Sequence, residues 1–134
     1  MERQVIKIGR WVVDCLFAED RYDVDGVLAC IYDAGATYPI LRKAKDMMTS
    51  GQMNTGFTFN NPDNYRAVLV IGPSESGEEF IDTLVHEVHH LAVAIASGLG
   101  VDLESETPAY LAGDSARALA RLICKYGCSA CNDD

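Results

Sequence analysis

The sequence predicts an α+β domain in which a small antiparallel or mixed sheet packs against one central helix and a second helix that follows it. Three observations carry this expectation. Short β-branched and aromatic runs share the chain with longer stretches of helical periodicity. Arg66-Ala67-Val68-Leu69-Val70-Ile71, closed by Gly72-Pro73, reads as the clearest strand. Just beyond it, Ser76-Gly77-Glu78-Glu79 has the form of a capping box and opens a long apolar helix. The 134 residues are expected to form a single domain, and 49% apolar against 23% charged residues supply one real core.

Taken in order, residues 4–8 and 11–17 are β-branched and aromatic with Gly9-Arg10 between them, which predicts a strand pair or one bent strand. The acidic stretch 19–23 is a loop that supplies an N-cap. Val24, Val27, Leu28, Ile31 and Tyr32 then recur at helical spacing until Gly35. Pro39 suits the first turn of a helix running to about residue 50, with Ile40, Leu41, Ala44, Met47 and Met48 on one stripe and Arg42, Lys43 and Lys45 outside. These two helices and the sheet occupy about residues 1–72. Phe57-Thr58-Phe59 alternates as a short strand, Asn60-Asn61-Pro62-Asp63-Asn64 is a turn, and together with 66–71 they predict a hairpin. The central helix covers about 76–98. It carries Phe80, Ile81, Leu84, Val85, Val88, Leu91, Val93 and Ile95, an apolar coverage broad enough to predict burial on most sides. A last helix is expected over about 104–124, before a cysteine-rich tail at 124–134.

Eleven basic residues against twenty acidic ones leave a net charge of −9. No Lys/Arg cluster is large enough to release the counterions of a phosphate backbone, so nucleic acid is not an expected partner. The longest low-charge run, 91–101, is half a membrane span, and the N-terminus has no secretory pattern; a cytoplasmic protein without membrane partners is expected.

Every histidine of the chain lies in His86-Glu87-Val88-His89-His90. The spacing is H-E-x-x-H. In a helix, positions i and i+4 share a face, so His86 and His90 can hold one metal ion, with Glu87 beside them as general base. Two imidazoles do not complete a zinc site; a catalytic zinc takes three protein ligands and an open position. The third ligand is expected from beyond the helix: Asp102 or Asp114, or Glu104 or Glu106 at the start of the next helix. The histidine expected six residues after His90 in metzincins is absent, since that position is Ala96. Buried on a helix, such a polar cluster needs partners, and a metal supplies them.

With Glu104-Ser105-Glu106-Thr107-Pro108-Ala109-Tyr110-Leu111 following it, the motif resembles gluzincin-type zincin metallopeptidases, and is similar to small phage or prophage proteins with an E-x-x-A-Y-L string. The resemblance spans roughly residues 55–120. It implies a minimal zincin-like fold, a zinc cofactor, Glu106 as third ligand with Glu104 in reserve, and a peptide or protein substrate bound along a sheet edge at 57–60 or 66–71. It also implies a metal-activated water with Glu87 taking its proton. Tyr110, Tyr65 and His89 are candidates to stabilise the oxyanion. Many gluzincins carry an aspartate where Tyr110 stands, four residues after the ligand glutamate, and Asp114 or a backbone carbonyl would have to orient a histidine instead. An alternative is a non-catalytic zincin-like module in which zinc is structural and the sheet edge binds a protein.

Cys124, Cys128 and Cys131 spell C-x₃-C-x₂-C, the spacing for a second zinc or a disulfide. Cys15 and Cys30 fall on apolar faces and read as small core residues.

Overall fold

A computed structural model describes residues 1–127. The chain runs β1 (Glu2–Ile8), β2 (Trp11–Phe17), α1 (Val24–Asp33), α2 (Tyr38–Met48), β3 (Gly56–Asn61), β4 (Arg66–Ile71), α3 (Gly77–Gly98), α4 (Thr107–Ala118) and α5 (Ala120–Gly127). Residues 4–8 and 11–17 do form a strand pair: β1 and β2 are an antiparallel hairpin in register Ile8↔Trp11, turned at Gly9 with φ +57°. β3 and β4 form the second hairpin. The two hairpins join through β2 and β4, which run parallel, giving the order β1-β2-β4-β3 and a mixed sheet. Between those parallel strands the chain passes through α1, α2 and β3.

β4 explains the layering. Its residues are apolar from Ala67 to Ile71, and a strand of that kind is covered on both faces. Ala67, Leu69 and Ile71 point into a core shared with Val13, Cys15 and Phe17 of β2 and with Phe80, Leu84, Leu91 and Ile95 of α3. Val68 and Val70 point the other way, to Val27 and Ile31 of α1 and Ala44 and Met48 of α2. The sheet therefore lies between α1/α2 and α3/α4/α5.

Asp14 of β2 is the exception inside this packing, a carboxylate 1% exposed. Arg3 donates to its Oδ1 from Nε (3.1 Å) and Nη2 (2.7 Å), and Arg66 Nη2 donates to its Oδ2 at 3.1 Å. Arg3 pairs with Leu16 and Arg66 with Val12, each two residues from Asp14, so both guanidiniums reach it diagonally on one face of the sheet. A slip of one residue in either neighbouring strand would carry an arginine to the opposite face, so the triplet fixes the register of three strands.

The C-terminal helix departs from the expected 104–124. Asp102 closes a turn by accepting the Glu104 amide at 3.0 Å, and the helix starts only at Thr107. It then breaks at Leu119. Ser115 is buried and donates its hydroxyl to the Leu111 carbonyl at 2.7 Å, a back-bond that bends helices. Leu119, at the break, and Leu122, three residues on, both enter the core. α5 is held down by Tyr126, which stacks on Phe17 at 6.1 Å and meets Phe80 at 5.5 Å. Its hydroxyl donates to Glu2 at 2.9 Å, and Lys125 pairs with the same carboxylate. No helix among the described residues is long and apolar enough to cross a membrane.

The Lys125 ammonium holds Glu2 below its ordinary carboxylate range; burial opposes this, and Tyr126 and Arg121 reinforce it. A depressed folded-state pKa gives stability that is present above the unfolded value of 4.5 and lost as pH falls through the lowered one. The urea midpoint of wild type is therefore expected to exceed that of Glu2→Gln near pH 6 and to converge with it near about pH 3. A gap that stays constant over this range would overturn the account.

Candidate functional site

α3 begins as its sequence dictates, with Ser76 Oγ accepting the Glu79 amide at 3.2 Å. Phe80, Leu84, Val88, Leu91 and Ile95 form the stripe laid on the sheet. Beside that stripe, Thr83 and Glu87 are also buried. The opposite face is open: Asp82, Val85, His86, His89 and His90 are exposed. This corrects the expectation of a helix buried on most sides. The histidines are not buried polar groups in need of rescue; the buried one is Glu87, at 5% exposure. The extra apolar residue, Val85, faces solvent.

Glu87 lies beneath the edge strand β3. Thr58 Oγ1 donates to its Oε1 at 3.0 Å and sits 3.3 Å from its backbone carbonyl. The strand can come this close because its first residue is Gly56. A Cβ there would lie 2.6 Å from the Val70 carbonyl, 3.0 Å from Thr83 Cγ2 and 3.3 Å from Glu87 Cγ. The preceding loop is tied to the start of α3, with Thr83 donating to the Asn54 carbonyl at 3.3 Å and the Glu75 amide donating to Asn54 Oδ1 at 2.9 Å. Tyr22 braces the same loop through Thr55 Oγ1 at 2.6 Å. Its phenol is pushed up by burial, with the Thr55 hydroxyl opposing and the nearby charge of Glu87 adding.

These elements enclose a recess of about 290 Å³, open to solvent, with Gly56 and Thr55 on one wall, Asp82, His86 and Glu87 on the other, and Met47 of α2 at one side. His86 and His90 present their Nε2 atoms to each other at 3.1 Å, with rings at 78°. Two imidazoles bound to one tetrahedral zinc at about 2.0–2.1 Å have their nitrogens roughly 3.3 Å apart, so the pair matches two of the ligand positions. Neutral imidazole is also the right donor for such an ion.

The other expected site residues are not gathered with the pair. Glu104 and Glu106 are exposed, and Glu106 occupies the N-cap of α4 without a side-chain capping bond. Tyr110 is 69% exposed on the first turn of α4. Asp102 is spent on its turn, and Asp114 pairs with Arg117 at 3.0 Å, so neither orients a histidine. Tyr65, with φ +55°, packs edge-on against Trp11 and under Arg10, away from the recess. His89 is exposed, its ring 6.2 Å from that of His90. Among the described residues no group of three His, Cys, Asp or Glu side chains is placed to hold one ion.

Two residues of the site escaped the sequence reading. Asp82 stands four residues before His86 on the same line of the helix, a spacing that was there to be seen. Thr58, between two phenylalanines, had to face opposite to them, but which helix it would meet depended on the sheet order. Of the cysteines, Cys124 is disulfide-bonded, while Cys128 and Cys131 lie outside the described residues. Cys15, buried on β2, and Cys30, half-buried on α1, are free, and burial pushes their thiols up to about 12 and about 11. Compared with known proteins, the chain matches no family model, no curated protein and no solved structure.

Thr58→Val removes the hydroxyl and leaves the buried Glu87 carboxylate without that donor. A loss of about 1–3 kcal/mol is expected in urea unfolding, largely recovered by Thr58→Ser. A loss below about 0.5 kcal/mol would show that Glu87 draws nothing from this bond.

Proposed function

We propose that the protein is a zinc-dependent metallopeptidase. The observation that carries this reading is the pairing of His86 and His90 through Nε2 at 3.1 Å, with His86 and Glu87 both lining one recess beside an edge strand. His86 and His90 hold the ion; Glu106, exposed at the N-cap of α4, is the proposed third ligand, with Glu104 as the alternative. A zinc ion held there would supply Lewis-acid chemistry, activating a water and polarising a carbonyl. Glu87 is the residue placed to accept a proton from that water and to pass it to the leaving amine. Thr58 holds the Glu87 carboxylate in one orientation, and the apolar stripe under α3 keeps the helix rigid while it does so. Tyr110 is the proposed donor to the developing oxyanion. β3, unpaired along one side, offers backbone groups to an extended peptide.

In the alternative reading the metal only braces a module whose β3 edge holds a protein partner; such a closed site takes four protein ligands, and among the described residues only the His86–His90 pair is assembled. A carboxylate beside the first histidine, buried yet bordering the recess, has no role in that module, and this favours the peptidase.

Purified protein is expected to carry one zinc per chain by elemental analysis, and His86→Ala and His90→Ala each to lose it. Glu106→Ala should lower the zinc content and Glu104→Ala should not; the reverse would exchange their roles. Glu87→Gln is expected to keep zinc and folding while cleavage of an unstructured protein falls by about 10²-fold or more. Wild type that holds zinc yet cleaves nothing, with His86→Ala lowering only the melting temperature, would replace the peptidase by the structural module.

A further inference from the structure

The recess at His86 and Glu87 does not end at Met47. That side chain also borders a second, mostly apolar hollow of about 290 Å³ at the edge of β3, walled by Phe57, Thr58 and Phe59 of the strand and Ile40, Lys43 and Ala44 of α2. Ile40 is 40% exposed in it, and Phe57 and Phe59 are only half-buried at the edge of the sheet. On the rim of the hollow Lys43 is exposed, and among the described residues it is in no ion pair. On a chain of net charge −9 this is a local reversal of sign.

We infer that this hollow is a specificity pocket, which takes a large apolar side chain of an extended peptide and pairs Lys43 with an acidic side chain next to it on the same face. The inference rests on β3 receiving the peptide, as in the proposed function. A strand added to the free edge of β3 alternates its side chains across the sheet. Thr58 points to Glu87 on α3, whereas Phe57 and Phe59 pack on the α1/α2 side. Residues of the peptide facing the α3 side thus lie towards His86, and those facing the α2 side meet the apolar hollow. Chemistry and selection are separated onto the two faces of one edge. The hollow has room for a large side chain, and its apolar walls reward burying one. The next position on that face, two residues along, is spaced to reach the α2 rim, where a negative charge gains from Lys43 and a positive one is repelled.

The test uses the Glu87→Gln protein, so that binding is read without cleavage, and fluorescein-labelled peptides of roughly ten residues, the span of an added strand. In the first peptide Leu and Asp alternate at every second position with Ser between them; in the second Leu is replaced by Ser; in the third Asp is replaced by Lys. Anisotropy is expected to show binding of the first, with the second and third weaker by about tenfold or more. Ile40→Asp should weaken the first peptide by about tenfold and Lys43→Glu by about fivefold. Elemental analysis of the same preparation reads its zinc content, so that a failed metal site and a failed pocket are told apart. No binding of the first peptide, equal binding of all three, a Ser/Asp peptide that binds as well as the Leu/Asp one, or indifference to Ile40→Asp would each overturn the pocket.

Discussion

A strand that is apolar on both sides has to be covered on both sides, and β4 imposes that condition on everything around it. One layer of helices cannot satisfy it. α3, with α4 and α5 beside it, takes the face of Leu69 and Ile71, and α1 with α2 takes the face of Val68 and Val70. β2 pairs along one side of β4 and β3 along the other, which leaves β3 at the edge. The candidate site owes its place to this arrangement, because an edge strand flanked by helices of both layers has a recess on each side of it.

Within that frame, the decisive local contact is between β3 and α3. Gly56 brings the strand down until only hydrogen fits, and Thr58 satisfies the carboxylate that the approach buries. A buried glutamate without a partner is costly enough to be replaced by an apolar residue in an ordinary core. Here it is retained next to a solvent-open recess and one residue from an exposed histidine pair. The general-base role proposed for Glu87 would account for such an arrangement.

Charge is distributed with a similar division. Asp14 and its two arginines act inside the sheet, where they specify register. Glu2, Lys125 and Arg121 act at the periphery, where they hold the last helix to the first strand. The unpaired cations of α2 belong to neither set. One of them, Lys43, borders the hollow at β3, so a residue that reads as ordinary solvation along one helix acquires a neighbour once the sheet is assembled.

The local elements were legible because each depends on residues close in sequence. The Arg66–Ile71 run ends at Gly72-Pro73, the Ser76 cap opens α3, and the alternation of Phe57-Thr58-Phe59 marks a strand. The i, i+4 placement of His86 and His90 follows from helix geometry alone, and so did their pairing. The break at Leu119 was less legible, since no glycine or proline marks it and the neighbouring Ser115 is buried against a core built elsewhere. Apolar count overstated the burial of α3, because Val85 is apolar yet faces solvent and Glu87 is charged yet faces the strand. Sequence by itself determined the elements, the mixed α and β composition and the histidine pair. Only the tertiary structure decided that the glutamate is buried and the histidines exposed, since that depends on where a strand some thirty residues away, held by Gly56 and Thr58, comes to rest on the helix.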